Sequence, residues 1–232
     1  MSPLLKTLEN EVQIAALVFL AVVYMIRIIW LMRFKSRRER TFAAGSEKAG
    51  VRYSLANIAM PWAMESTRKR PGFYLQFVVF HLGVAAAIAA TFIIPYAPGL
   101  FTNQPLVWIF RVVICVACLV GLLRLYRRLT DRRIRLISTA DDFVSLVLMI
   151  CFFAAGVIVL PNNYQKSEWP LILFFGLTAF FLIYVPFSKI GHYLYYPFIR
   201  TILGRTLGHR GVFPPKKGSR RDQTAGDRRK SP

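Results

Sequence analysis

The chain of 232 residues holds three histidines, His81, His192 and His209. His81 stands inside an apolar run, PGFYLQFVVFHLGVAAAIAATFIIPYAPG, over residues 71–99. His192 lies near the end of another long apolar run that opens at Trp169. An imidazole inside a membrane span is costly unless something uses it. His81 comes ten residues after Pro71, about 15 Å along a helix that rises ~1.5 Å per residue. His192 comes eight residues before Arg200, about 12 Å from that end on the same rise. If the two runs cross in opposite directions, both imidazoles lie at similar depth. Facing histidines on two helices can hold a haem iron by both axial positions. They can equally be interhelical hydrogen-bond partners, and spacing alone leaves both readings open. An iron ligated on both sides has no free position for a substrate and suits electron transfer.

The elements that would position these residues are read from hydropathy. The chain is 55% hydrophobic with a formal net charge of +20. Apolar runs near ~18 residues or longer are membrane-helix candidates. Five occur, at about 12–32, 71–97, 105–126, 139–160 and 169–199. The expected fold is an all-α polytopic membrane protein, a five-helix bundle over residues 1–204. A basic tail, 205–232, follows it and is low enough in aromatics to be disordered. Arg27 and Trp30 suit the end of the first span, the arginine by snorkelling and the tryptophan as an interfacial aromatic. The first run lacks a basic leader and a small-residue cleavage site, so it reads as a retained anchor. Leu55-Ala-Asn-Ile-Ala-Met-Pro-Trp-Ala-Met64 is apolar but short and carries Pro61. It reads as an interfacial segment or a docking surface.

Charge sets an orientation. The segment 33–70, the loop after the third span and the tail carry nearly all the Lys and Arg. The N-terminus and the other two loops carry almost none. Basic loops stay on the cytoplasmic side, so the N-terminus is expected outside and the C-terminus inside. The basic surplus follows the membrane-flanking loops, and no nucleic-acid module accompanies it.

Other constellations carry less. Cys115 and Cys118 share a helix face but lack further ligands, and with Cys151 they fall inside spans. Ser138-Thr139-Ala140-Asp141 has the form of a capping box opening the fourth span. Asp142 follows it, as a carboxylate complementing the helix dipole. Arg68, Lys69, Arg70 and Lys189 lie near the inner end of the His81–His192 depth, where they could meet haem propionates or simply follow the positive-inside rule. His209 falls in the basic tail and is expected in solvent. No inverted repeat supports a transporter.

Phe80-His81-Leu82-Gly83, Ser138–Asp142 and Pro186-Phe187-Ser188-Lys189-Ile190-Gly191-His192 resemble the gamma (cytochrome b) subunit of respiratory nitrate reductase and its relatives. These relatives include membrane subunits of high-molecular-weight cytochrome complexes and of sulfite-reduction-associated complexes in anaerobes. The resemblance covers the second to fifth spans, and the P-F-S-basic-x-x-H segment is its most specific part. It implies a b-type cytochrome anchored in a bacterial or archaeal inner membrane. It implies His81 and His192 as axial ligands of the cytoplasm-side haem, with Arg70 and Lys189 as candidates for its propionates. The nitrate reductase members carry a second, outer haem. Its two histidine positions correspond here to Thr91 and Phe174. One haem b is therefore expected, as in single-haem members of the family. Thr102 stands near the place of the family's outer-loop lysine, and Arg111 is the nearest cation. The outer quinone site of the family is therefore not carried over, although menaquinone or another quinone remains the implied electron partner. The implied protein partners are a cytoplasmic-side iron–sulfur subunit and an outer-side cytochrome. A cofactor-free structural subunit is the competing expectation.

Overall fold

The computed structural model describes residues 1–34, 39–63, 65–160 and 167–215. The described residues are helical with no strand. The helices are α1 (Pro3–Arg33, with a wider π-helical turn at Leu8–Val12), α2 (Glu47–Ala56), α3 (Glu65–Lys69), α4 (Pro71–Tyr96), α5 (Gln104–Thr130), α6 (Arg132–Leu136), α7 (Ala140–Val159), α8 (Trp169–Tyr184) and α9 (His192–His209). Five apolar helical segments are long enough to cross a membrane: α1, α4, α5, α7 and the run Trp169–Phe187. The chain is a multi-pass membrane protein by this architecture.

Local chemistry sets the helix ends. The Asn103 side chain accepts the Leu106 N–H at 3.3 Å, capping α5. Asp131 accepts the Arg133 N–H at 2.8 Å and so separates α5 from α6. Pro95 sits one residue before the end of α4. Pro186 follows α8, where Val185–Phe187 form a short 3-10 turn.

The chain forms two compact units. The first comprises Met1–Arg27 and Gly72–Gly191, the second Ile28–Pro71 and His192–Pro232. The first unit packs in sequence around an aromatic core. α4 meets α5 at Gly83, where an added Cβ would stand 2.1 Å from the Ala117 Cβ. Such small-residue seams let membrane helices approach closely in the absence of a hydrophobic drive between them. α5 meets α7 at Gly121, with Ile150 against it. α7 meets α8 through Phe152 stacked on Phe174, ring centroids 5.1 Å apart. α8 meets α1 where the Gln13 side-chain amide donates to the Phe175 carbonyl at 2.8 Å. Ile114, Phe153, Phe174 and Phe175 are fully buried at the centre. Outward faces stay apolar, as Val18, Met25, Trp108 and Leu119 show, which suits lipid rather than water.

The second unit is built on α2 and α9, packed antiparallel along a line of small residues. Ser46, Gly50 and Ser54 of α2 face Gly208 and Gly204 of α9. A Cβ at Gly50 would stand 2.2 Å from the Gly204 carbonyl oxygen, so the backbones are in direct contact. Gly211, with φ +71°, turns the chain after α9.

Two boundaries differ from expectation. The helix that carries the first apolar run begins at Pro3, ahead of residue 12, where Ser2 caps it. The fifth run does not continue unbroken to residue 199. It stops at Tyr184, passes through the turn at Pro186, and resumes as α9 at His192. α9 then runs through residues 204–205 without a break, where the tail was expected to start. Residues 216–232 of that tail, Met64 of the short apolar segment, and 161–166 of the loop before α8 lie outside the described residues.

Candidate functional site

His81 stands nearly three turns into α4. Its neighbours Phe80 and Gly83 face the bundle: Phe80 packs edge-on against Phe153 at 5.2 Å, and Gly83 meets Ala117. A helix turns ~100° per residue, so this registry sends His81 and Leu82 to the outer face, and both are exposed. The ring lies against Phe77, centroids 4.2 Å apart. Its Nδ1 is 2.7 Å from the Phe77 carbonyl oxygen. A carbonyl only accepts, so in the neutral imidazole Nδ1 carries the proton and Nε2 carries the lone pair. Metal-binding histidines are oriented in this way, the remote N–H donated to a backbone carbonyl.

His192 is the first residue of α9 and is exposed. It opens the second unit, while His81 belongs to the first. It is delivered by the turn Pro186–Gly191. Pro186 is fully buried. Ser188 closes the turn by donating its N–H to the Val185 carbonyl at 3.2 Å, and its hydroxyl accepts the Ile190 N–H at 3.2 Å. Gly191 packs so closely that a Cβ would stand 2.9 Å from the Val185 oxygen. The P-F-S-K-I-G run is thus a shaped turn at the end of the fifth apolar run.

That turn is stitched to the first turn of α7. The Lys189 N–H donates to Asp141 Oδ2 at 2.9 Å. Lys189 Nζ donates to Asp142 Oδ2 at 2.7 Å and to the Thr139 hydroxyl at 2.8 Å. Asp142 Oδ2 also accepts the Thr139 N–H at 2.8 Å. The capping box is therefore Thr139/Asp142, one residue later than the expected Ser138/Asp141. The register moves because Ser138 and Asp141 are engaged elsewhere. The Ser138 hydroxyl donates to the Ile134 carbonyl at 2.7 Å and accepts from Arg128 at 2.8 Å. Asp141 Oδ1 accepts the Tyr184 hydroxyl at 2.5 Å and faces the Ser145 hydroxyl at 3.3 Å. Asp141, Ser145 and Tyr184 form a polar cluster that the sequence reading missed. Its visible signal was a second carboxylate where a cap needs one. Lys189 thereby has a defined local task beside Asp142. Arg70 lies exposed between α3 and α4.

Thr91 and Phe174 are packing residues. The Thr91 hydroxyl donates back to the Ile88 carbonyl at 2.7 Å, and Phe174 fills the core. The Thr102 hydroxyl bonds the Gly99 carbonyl at 2.7 Å, and Arg111 lies over the Trp108 ring at 5.6 Å. Cys118 is half-buried near the Ile150 carbonyl, and Cys115 and Cys151 are exposed.

His209 is a correction. It is not a solvated tail residue: its side chain is 13% exposed, with Nε2 2.8 Å from the Thr41 carbonyl and Nδ1 3.4 Å from Glu47. The α2–α9 seam holds it there, with Gly204 and Gly208 against Ser46, Gly50 and Ser54.

At the opposite end of the first unit, the Glu168 carboxylate accepts the Ser2 N–H at 2.7 Å. Hydrogen bonding from Ser2 holds this carboxyl below the ordinary glutamate range.

Among the described residues no group of three His, Cys, Asp or Glu could hold a bare metal ion. Two imidazoles suffice only for a group that brings its own equatorial donors, as a porphyrin does. No family model, no curated protein and no solved structure matches the chain.

Proposed function

We propose that this protein is a haem b-binding membrane subunit of a respiratory complex in a bacterial or archaeal inner membrane, passing electrons between the quinone pool and an iron–sulfur partner. The observation that carries it is His81, an imidazole on an apolar helix long enough to span a membrane, with Nδ1 2.7 Å from the Phe77 carbonyl oxygen, the orientation that metal-binding histidines share. The pairing with His192 rests on the sequence, where both histidines lie within segments resembling the cytochrome b family. The donor set fits haem, because neutral imidazole is its commonest axial ligand. When bound, haem b supplies a one-electron Fe(III)/Fe(II) couple.

The chain's own residues have separate tasks in this reading. Phe77 supports the His81 ring through its carbonyl and its own ring. The Pro186–Gly191 turn, which precedes His192 in the chain, is anchored to Asp141 and Asp142 through Lys189. Arg70 is a cation for the propionates, and Lys189 can share that role only alongside Asp142. Phe174, buried and stacked on Phe152, supports a single haem, since that position is given to core packing. Electrons then reach only the inner half of the membrane through this chain, and quinone chemistry lies close to the inner haem or in a neighbouring subunit. The basic inner face suits docking of the iron–sulfur protein, with the N-terminus outside and the C-terminus inside.

The test is ligand substitution in the purified full chain. His81→Ala and His192→Ala are each expected to abolish the b-type absorbance while the protein stays folded, since both side chains are exposed. Full haem content in either variant would remove that residue as a ligand and with it this reading. A folded wild-type chain without haem would leave the cofactor-free subunit.

A further inference from the structure

We propose that Arg124 and Arg127, in the groove between α4 and the basic end of α5, hold the phosphate of an anionic phospholipid whose acyl chains run along the same flank of α5. This rests on the membrane-spanning architecture and is independent of haem.

The last turns of α5 carry Arg124, Arg127 and Arg128, and their surroundings differ. Arg128 turns toward α7, where it donates to the Ser138 hydroxyl at 2.8 Å and lies 3.6 Å from Asp142. Arg124 and Arg127 turn toward α4. Each guanidinium lies over an aromatic ring, Arg124 over Phe80 at 4.8 Å and Arg127 over Phe73 at 4.4 Å. Both side chains are half-buried. Among the described residues neither has a hydrogen-bond or ion-pair partner. An aromatic face attracts a cation but leaves the guanidinium N–H donors unanswered. The two helices cannot supply an anion themselves, since residues 71–130 contain no Asp or Glu. A cation within a membrane span is costly unless something neutralises it.

Depth and direction select the anion. α5 has 27 residues, about 40 Å at ~1.5 Å per residue, which exceeds the ~30 Å hydrocarbon core by about 10 Å. Centred in the bilayer, it puts Arg127 at the hydrocarbon boundary and Arg124 about a turn deeper, within snorkelling reach of the phosphates. Leu123 and Val116 precede Arg127 by four and eleven residues. At ~100° per residue both fall within about 40° of it around α5, and both are exposed. Cations and apolar surface thus follow one another along one flank in the order of a phospholipid, phosphate at the boundary and acyl chains below it. Two guanidinium groups three residues apart on one helix suit the oxygens of a phosphate. Basic pockets between membrane helices hold anionic headgroups in this way. Inorganic phosphate supplies the charge but cannot follow the flank into the hydrocarbon. A haem propionate would draw on the same cations, since Phe80 also meets His81 with centroids 6.2 Å apart, but it gives Leu123 and Val116 no part.

The experiment is native mass spectrometry of the full chain released from nanodiscs of phosphatidylglycerol and phosphatidylcholine in equal parts. The wild-type chain is expected to retain phosphatidylglycerol at least about threefold over phosphatidylcholine. Arg124→Gln/Arg127→Gln is expected to cut that preference by at least about twofold. Arg132→Gln/Arg133→Gln, which removes the same charge from exposed positions on α6, is expected to keep it. Unchanged retention in the Arg124/Arg127 variant overturns the site. So does an equal loss in the α6 variant, which would mean that charge alone attracts the lipid. Excess inorganic phosphate is expected to leave the lipid in place, and displacement by it would overturn the lipid assignment. If the Arg124/Arg127 variant does not fold, the wild-type chain decides, and equal retention of the two lipids overturns the proposal. Haem content and midpoint potential are read on the same samples. A moved potential in the Arg124/Arg127 variant with unchanged lipid retention would give these arginines to a propionate and overturn the phosphate site. A chain without haem that keeps its lipid preference would remove the haem reading and support this one.

Discussion

At the scale of single residues, Asp142 ties several groups together at the start of α7. It caps α7 through Thr139, pairs with Lys189 and lies 3.6 Å from Arg128. Losing a capping carboxylate costs about 0.5–2 kcal/mol. Asp142→Ala is expected to destabilise the chain by roughly that amount in a detergent-unfolding titration, whereas Lys189→Met removes a half-exposed ion pair and is expected to cost under about 1 kcal/mol. Equal, negligible effects would mean that the junction is not a structural clamp. His81→Ala behaves differently: the ring is exposed, so stability is expected to hold while any haem signal goes. Composition and hydropathy were enough to single out His81 and His192. They could not show that Asp141 binds Tyr184, because that contact joins residues 43 positions apart. His209 was misread for a similar reason. Its surroundings come from Thr41 and Glu47, on a segment far away in sequence.

At the scale of elements, the apolar runs translated into helices because each is long enough to satisfy its own backbone in lipid. The ends translated less well. Near the start of α1, the Ser2 hydroxyl accepts the Leu5 N–H at 3.2 Å and caps the helix, so the helix opens ahead of the first apolar run. At residues 184–192 hydropathy gave a single run over 169–199, and the structure breaks it. A proline lacks the N–H that continues the ladder, and the Ser188 turn with its tie to Asp141 completes the break. The α2–α9 seam went unread because hydropathy does not register backbone-to-backbone contact. Gly50→Leu is expected to separate these helices at a cost near the top of the overpacking range, about 3 kcal/mol, since the obstacle is the Gly204 backbone. Gly72→Ala, where nothing lies within 4 Å of an added Cβ, is the matched control and is expected to be neutral or slightly stabilising. A Gly50→Leu chain with an unchanged unfolding midpoint would contradict the packing described.

At the scale of the whole molecule, the first unit joins its first and fifth apolar helices through polar contacts that include Gln13 to Phe175 and Ser2 to Glu168. Glu168 gives this closure a pH dependence. Its carboxyl is held below the ordinary value by Ser2, so its contribution is fully present above the unfolded glutamate value near 4.5 and is lost as pH falls through the lower folded value. Glu168→Gln is expected to lower the unfolding midpoint at pH 7, with the gap to wild type closing as both are acidified below about pH 4. A gap that persists at pH 3 would assign the effect to something other than the carboxylate charge. The all-α, five-helix architecture was legible from length and hydropathy alone. The division into a membrane unit and a basic two-helix unit was not, because α2 and α9 each look like a charged loop or tail when read singly. The central claim is the haem, and its most direct test is the reduced-minus-oxidised absorption spectrum of the purified full chain with haem counted per polypeptide. A b-type spectrum at one haem per chain is predicted. Two haems per chain would contradict the roles given to Thr91 and Phe174, and a well-folded chain with none would contradict the account as a whole.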